Sequence, residues 1–424
     1  MRLRFKIIAG GMLFPLLCGC GQSTAEKLPP GAGGEVLYVS SSADPAAADG
    51  SRGHPFQQIQ DAVDASRGGT EIVVGGGEYG PFEIPARCSG TEADRTVVKA
   101  AEGARPVIRT PSGSAGKDSV GISMENVAYI RVSGLEISGG THGIYYESNA
   151  DADGTALSGV TIQACRVHDV HGVHGIAVYA ANDKIPVTDV VIEGCEIYDC
   201  RCGGSESLAV NGNIDGFEIR GNWVHDNDNI GIDMIGFEGT AIHDAAYAGN
   251  RYDADFVRNG ICRGNTVCGI TAYGNRAYLE NGEYSLCAGG IYVDGGQNID
   301  IYGNTVSDCD IGIEVATEHS LLENPLFRVA GVNVHDNTIT GCTGFAGLAF
   351  GGYDGERGFT EECRFYRNTL TDNPVQIAVQ RSRDNEIDHN TLIGGELMIE
   401  YHENLPREEM DNDFHDNTWE KAAD

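Results

Sequence analysis

GGIYVDGGQNIDIYGNTVSDCDIGIEVATEHS, residues 289–320, spells a strand, a Gly-rich bend, a second strand, an Asn turn and a third strand that repeats the first. The strands fall at 291–293, 299–302 and 313–315, and GIYVD returns as GIEVA 22 residues later. Alternation places Ile and Val on one face and Tyr292, Asp294 and Glu314 on the other. A unit this short cannot bury its own apolar face. A chain that keeps repeating it therefore describes a coil that stacks on its neighbours.

The repeat extends in both directions. VAYIRVSGLEIS, LSGVTIQACRVHD, VTDVVIEGCEIYD, IDGFEIRGNWVHD, NGICRGNTVCG, QNIDIYGNTVSD, AGVNVHDNTITG, ECRFYRNTLTD, DNEIDHNTLIG and MDNDFHDNTWE restate one pattern. One column of it carries Asn222, Asn265, Asn304, Asn337, Asn368, Asn390 and Asn417, whose side chains can hydrogen-bond from coil to coil at a turn. Before the repeats, a strand near 37–39 is followed by Phe56, Ile59, Ala62 and Val63 at helical spacing, ending near Gly68, and then by the strand TEIVV. A strand and a short helix there would cover the open end of the first coil. This opening resembles that of secreted right-handed parallel β-helix proteins, including pectate lyases. The fold expected is all-β: a single-stranded right-handed parallel β-helix, a solenoid with an N-terminal cap helix, over 37–424, with the cap and first coil in 37–110.

The chain has 424 residues, 59 of them Gly, and a formal net charge of −33. With no basic stripe, that balance excludes nucleic acid as a partner, because a polyphosphate would be repelled. Residues 1–20 have a basic start (Arg2, Arg4, Lys6) and an apolar run too short to span a bilayer. They end in Leu17-Cys18-Gly19-Cys20, which resembles a bacterial lipoprotein signal. The resemblance implies cleavage before Cys20, lipid attachment to it, and export to the outer membrane or cell surface, with Gly21 matching an outer-membrane address. Residues 21–36 read as a flexible tether. Thirteen Cys, less Cys18 and a lipidated Cys20, leave an odd number. Cys165 and Cys195 stand at equivalent repeat positions, where a small apolar side chain can stack inside a coil; Cys200 and Cys202 are the candidates for pairing with loop cysteines. A monomer is expected.

Aligned on their inward Ile or Leu, the strands after the Asn turns read HGIYYES, HGIAVYA, ESLAVNG, IGIDMIG, GGIYVDG, IGIEVAT, AGLAFGG, VQIAVQR and GELMIEY. The fourth letter points outward and is small in most coils, yet three successive coils show Asp233, Tyr292 and Glu314. Asn211 and Asp294 lie beside them, with Glu206 one coil earlier and Glu318-His319 just after. Coils about 4.8 Å apart would separate Asp233 and Glu314 by roughly 9 to 10 Å. Exposed carboxylates on one sheet face are not needed for folding; they bind a cation, act as acid and base, or are simply solvated. Loop excursions in 236–288 precede this row, and their aromatics (Phe237, Tyr247, Tyr252, Phe256, Tyr273, Tyr278, Tyr284) suit either a wall for sugar rings or packing of the loops onto the coil. His168, His171 and His174 bridge a turn and read as solvated.

Residues 206–233, ESLAVNGNIDGFEIRGNWVHDNDNIGID, resemble the calcium-binding region of family 9 pectate lyases. The resemblance implies Ca²⁺ held by acidic residues of two successive coils, matched by Glu206 and Asp233, with Asn229 and Ile230 at further ligand positions. Tyr292 falls where that family carries its catalytic Lys. It implies a polysaccharide lyase that cleaves a uronate-containing glycan by β-elimination, with Tyr292, Asp233, Glu314, Asp294 and His319 as candidate catalytic groups. Tyr292 can serve there only if its pKa is brought down from about 10, for which Arg251, Arg258, Arg263 or Arg276 is at hand. Two other readings stand beside it: a glycoside hydrolase using the Asp233 and Glu314 carboxylates, and a surface lipoprotein that binds glycan or Ca²⁺ without turnover.

Overall fold

The structure, a computed structural model, describes residues 34–111, 119–149, 157–242, 253–321, 323–352 and 358–420. The leader with Cys18 and Cys20, and most of the tether, lie outside the described residues. Among the described residues, no helix is long and apolar enough to cross a membrane.

Each coil passes through three sheets in turn. One mid-chain coil consists of Val187–Glu193, Glu196–Tyr198 and Leu208–Gly212, and the next begins at Ile214–Arg220. Every strand pairs in parallel with its equivalent one coil on, which builds parallel sheets of 16, 11 and 12 strands. Inward residues therefore stack in columns. Ile162, Ile192, Ile219, Cys262, Ile301, Val334, Phe365 and Ile387 form one, all fully buried. A segment that reads as one stretch, such as VTDVVIEGCEIYD, is thus two strands in different sheets with a corner between them.

The corner is made by two adjacent residues. The first is left-handed: Gly134, Ala164, Gly194, Gly221, Gly264 and Gly303 in the earlier coils, then Asp336, Arg367, His389 and Asp416. The ladder Asn follows it. The Asn residues do not themselves take the left-handed conformation; their role is hydrogen bonding. Each ladder amide donates to the side-chain oxygen of the next, at 3.0 Å for Asn222 to Asn265 and for Asn304 to Asn337. The same oxygen also accepts the backbone N–H of the coil before it, and the amide also donates to a carbonyl there, as Asn304 does to Cys262. Leu135, Cys165 and Cys195 hold the position in the first coils, and the Cys195 N–H donates to Asn222. Cys200 and Cys342 occupy the equivalent place at the next corner, donating their N–H groups to Asn227 and Asn373.

Two expectations are corrected here. Cys200 and Cys202 do not pair with loop cysteines; both are fully buried free thiols packed in the core. In the last coil the alignment slips by two residues, with Ala378 beside Glu400, because left-handed Gly395 lies in the turn and the strand starts only at Leu397. The cap is present: strand Val36–Val39, then helix Ile59–Ala65 with Ile59, Ala62 and Val63 buried. The helix is shorter than its spacing suggested. Phe56 bridges to Val39 outside it, and Ser66 stops it by hydrogen-bonding the Val63 carbonyl at 2.8 Å.

Replacing Asn304 with Ala leaves buried groups of three coils without partners. The expected cost is about 3 kcal/mol, read as a lower midpoint in urea unfolding. Asn417→Ala, at the more exposed end of the ladder, should cost much less.

Candidate functional site

The polar row stands in one register on the 11-stranded sheet. Ala177, Ala209, Asp233, Tyr292, Glu314, Ala349 and Ala378 pair successively across it. Their neighbours Ile232, Met234, Ile291 and Val293 fill the core. Asp294 lies two residues beyond Tyr292 on strand Gly289–Asp294, and Asn211 two beyond Ala209 on Leu208–Gly212.

These outward groups are not exposed, which corrects the expectation. Asp233 is 2 % exposed, Asn211 3 %, Tyr292 6 % and Asp294 6 %. Loops close over them. Asn275 ties the 271–288 excursion to the Gly203 carbonyl at 2.6 Å, and Asn229 ties the Ser205 carbonyl at 2.8 Å. Asp255 accepts from the N–H groups of Gly239 and Ala241 at 2.7 and 2.6 Å, fixing the loop that carries Glu238. The Glu318 N–H donates to Asp294 at 3.1 Å, and His319 meets Glu238 at 3.0 Å.

Beneath the loops lies a cavity of ≈ 380 Å³ lined by Glu206, Asn211, Asp233, Glu238, Asp294 and Glu318, with Tyr179, Tyr278 and Tyr292 as its aromatic walls. That is the size of a small ligand site. His319 faces an adjoining cavity of ≈ 370 Å³ that shares Glu238 and Glu318. Glu314 is in register with Tyr292 but outside the lining of the main cavity. The structure thus gathers Glu206, Asp233, Tyr292 and Asp294, sets His319 at their edge, and leaves out Glu314 and Asn229.

Among the described residues, no Lys or Arg lines the cavity. Arg258 is paired with Asp215 and Arg263 with Glu218, Arg276 does not line the cavity, and Arg251 lies outside the described residues. The condition for a phenolate at Tyr292 is therefore not met. Burial first, and then Asp294, Glu314, Glu318 and Asp233, push its phenol well above the ordinary value, so it is a neutral hydrogen-bonding group. Burial also pushes Asp233 well up, reinforced by Glu206, Asp294 and Glu318. Burial raises Asp294 too, reinforced by Glu318 and Glu238, but His319 and the Glu318 N–H oppose it. Glu206 is pushed up to about 8 by burial, and so is Glu314, with Glu318 adding to both. For His319, burial is outweighed by the Glu238 hydrogen bond and by Asp294, and its pKa rises.

Of the residues expected to hold Ca²⁺, Glu206 and Asp233 line the cavity, whereas the Asn229 amide is used to fix the loop. Asn211 stands there instead. The Oδ1 atoms of Asn211 and Asp233 are both buried without a hydrogen-bond partner. A group of Glu386, Asp388 and His415 elsewhere has metal-like spacing, but Arg364 already forks onto Asp388 at 2.9 and 2.9 Å.

His174 is the residue that sequence reasoning missed. It is buried, not solvated, and burial followed by nearby His142 holds it at about 4, so the ring is neutral. It lies 3.2 Å from the Glu206 carbonyl through Nδ1 and 3.1 Å from the Tyr179 hydroxyl through Nε2. Its signal was the register, since His142 and His174 pair at the head of successive strands. The excursion aromatics divide. Phe237 packs against Phe256 and Phe327, Tyr278 lines the cavity, Tyr273 is 71 % exposed, and Tyr247 and Tyr252 lie outside the described residues.

A family model described as a right-handed β-helix region matches residues 208–392 and 289–421. The chain belongs to the right-handed β-helix family. A relative from Bacillus subtilis, the uncharacterized protein YwoF, is 31 % identical to this β-helix protein over all of its length and 88 % of the relative's. Among solved structures it is similar to a GH136 lacto-N-biosidase from Eubacterium ramulus (TM-score 0.63, 15 % identity, 91 % of this chain and 68 % of that one). It is also similar to PfbA, a surface adhesin of Streptococcus pneumoniae (TM-score 0.52, 11 % identity, 80 % and 87 %). Identities this low show the fold alone. The family match bears out the right-handed β-helix expected from the sequence.

The raised carboxyl groups make stability depend on pH. Glu206 and Glu314 have folded values of about 8 against 4.5 when free, so over that interval the native state binds more protons than the unfolded chain. Stability contributed by these two groups should then fall as pH rises from about 4.5 to about 8. Thermal melts across this range should show the decline, and Glu314→Gln should flatten it.

Proposed function

We propose that this β-helix protein is a carbohydrate-active enzyme that hydrolyses glycosidic bonds, with Asp233 as general acid and Asp294 as general base. The observation that carries the reading is two carboxylates in one enclosed cavity whose surroundings differ. Asp233 has a bare buried oxygen and carboxylates around it, so it holds its proton. Asp294 accepts the Glu318 N–H at 3.1 Å and faces His319, both of which oppose the effect of burial and favour its carboxylate. Their positions, one coil apart and two residues along, set the Cα atoms about 8 Å apart. Carboxyl groups of inverting hydrolases are separated by roughly 6.5 to 9.5 Å. In such a reaction Asp233 gives its proton to the departing glycosidic oxygen as the bond to the anomeric carbon breaks. Asp294 takes a proton from the water that forms the new bond on the opposite face. Tyr292, between them, is a neutral donor to the sugar.

Hydrolysis suits this cavity better than β-elimination, because a uronate would meet Glu206, Asp233, Glu238, Asp294 and Glu318, with no Lys or Arg among the described lining residues. The lyase reading draws support from Glu206 and Asp233 in the lining, which would hold Ca²⁺ and so supply positive charge. The leader supports export and a lipid anchor at Cys20; Cys20→Ser should move the protein from the membrane fraction to the soluble one.

Incubation with neutral and uronate-containing glycans, with and without chelator, tests the reaction. New reducing ends of inverted configuration, unaffected by chelator, are expected. Chelator-sensitive release of unsaturated uronate products would replace hydrolysis with elimination, and retained binding without any product would leave a glycan-binding protein. Asp233→Asn and Asp294→Asn should each lower kcat by about 10² to 10⁴.

A further inference from the structure

We propose that the outer face of the 12-stranded sheet is a second glycan-binding surface, which takes a neutral polysaccharide with Trp223 as its anchor. It lies on a different sheet from the cavity and rests on the reading above only for the class of ligand, not for the hydrolytic step.

Two outward rows run across this sheet. Beyond the coil of Trp223 the first is Thr266, Thr305, Thr338, Thr369 and Thr391, paired strand to strand. Two residues along, the second is Cys268, Ser307, Thr340, Thr371 and Ile393. Both rows are uncharged over these coils, a run of roughly 19 Å at the spacing of neighbouring strands, in a chain of net charge −33. Strand propensity accounts for Thr at any one of these places. It does not account for the missing charge, since the first row reads Glu136, Arg166 and Glu196 in the coils before. The corner leading into the row is two residues wide, as between Tyr302 and Thr305, so it carries no loop on that side.

Trp223 stands at the head of the first row, paired with Thr266, and is 42 % exposed. His168, Tyr198 and His225, one coil apart in the second row, stack ring on ring, at 4.9 Å and 17° and then at 5.2 Å and 3°. Trp223 extends the stack onto His225 at 4.0 Å and 24°. Tyr198 covers the face of His225 toward the earlier coil, so Trp223 covers the opposite one and turns its own outer face toward the Thr rows. The stack fixes the indole before any ligand arrives.

An open indole face packs on the C–H face of a sugar ring. Thr and Ser hydroxyls both donate and accept, which suits a ligand whose own polar groups are hydroxyls. The charges that border the rows sharpen the choice. Arg367 is spent on Asp336 at 2.8 Å, while Asp308 and Asp372 stand exposed at the opposite corner. A uronate chain would meet those carboxylates with no positive charge in either row, and a basic partner would find no carboxylate within the rows themselves.

The test uses the full-length chain carrying Trp419→Phe, which leaves Trp223 as its one indole. Galactomannan and mixed-linkage β-glucan are the neutral probes and polygalacturonate the anionic one. At least one neutral probe should change the Trp223 fluorescence, and the same probe should retard the unmodified chain in affinity gels. Trp223→Ala should weaken that retardation about tenfold. Thr338→Asp, at an exposed position in mid-row, should weaken it as well, and cleavage of short oligosaccharides should be unchanged in both variants. No fluorescence response to either neutral probe, an equal response to polygalacturonate, a response that Asp233→Asn removes, or retardation that Trp223→Ala and Thr338→Asp leave intact overturns the inference. Cleavage assayed in parallel separates the two claims. Hydrolysis without a Trp223 response removes this surface and keeps the hydrolase; a Trp223 response without hydrolysis does the reverse.

Discussion

A coil of this protein satisfies its backbone through the coils above and below it. Its N–H and C=O groups point along the stacking axis, so they are paired only if the next coil arrives in register. The Asn ladder enforces that register where the sheet itself cannot, at the corners. There the chain leaves one sheet before entering the next, and a buried carbonyl and N–H of each coil have no strand partner. The amide of Asn304 answers both needs, taking the Asn265 N–H and reaching the Cys262 carbonyl, while it also joins its own kind. Early coils do without it. Cys165 and Cys195 stack in the same column, with thiol contacts to backbone carbonyls in place of the amide bonds.

The regular scaffold is what permits an irregular site. On an unburdened coil the outward position of this face is Ala, as at Ala177, Ala209, Ala349 and Ala378. At three consecutive coils it becomes Asp233, Tyr292 and Glu314, and over two of these the loops close. Covering a carboxylate destabilises its charged form, and adding Glu238 and Glu318 from the loops compounds the effect. The strands fix where the groups stand to within the spacing of the sheet. The loops decide what those groups do with a proton.

This division explains what was legible in the sequence. The β-helix, its register and the row from Asp233 to Glu314 follow from period-2 alternation and a repeated strand, both local and restated many times. Burial of the row is not local. It depends on Asn275 reaching Gly203, and on Glu318 and His319 folding back onto Asp294 and Glu238, contacts between segments many residues apart. His174 was misread for the same reason, since Tyr179 lies on its own strand but Glu206 reaches it only once the next coil is stacked. The slipped last coil had a local cause, Gly395 in a left-handed turn, that a pattern aligned on apolar residues does not weigh.

A site whose strands come from the repeat and whose lid comes from insertions can change chemistry without changing fold. Shortening the 271–288 excursion would re-expose the row beneath it to water, and its protons would then be lost nearer ordinary carboxylate values. The same row would become a solvated acidic strip able to bind a cation or a cationic surface, with no acid left to donate. Within one β-helix scaffold, the difference between a binding face and a catalytic cavity therefore reduces to how much water the loops exclude. That is why similarity of the coils, at 15 % identity or less in the solved structures, transmits the fold and not the reaction.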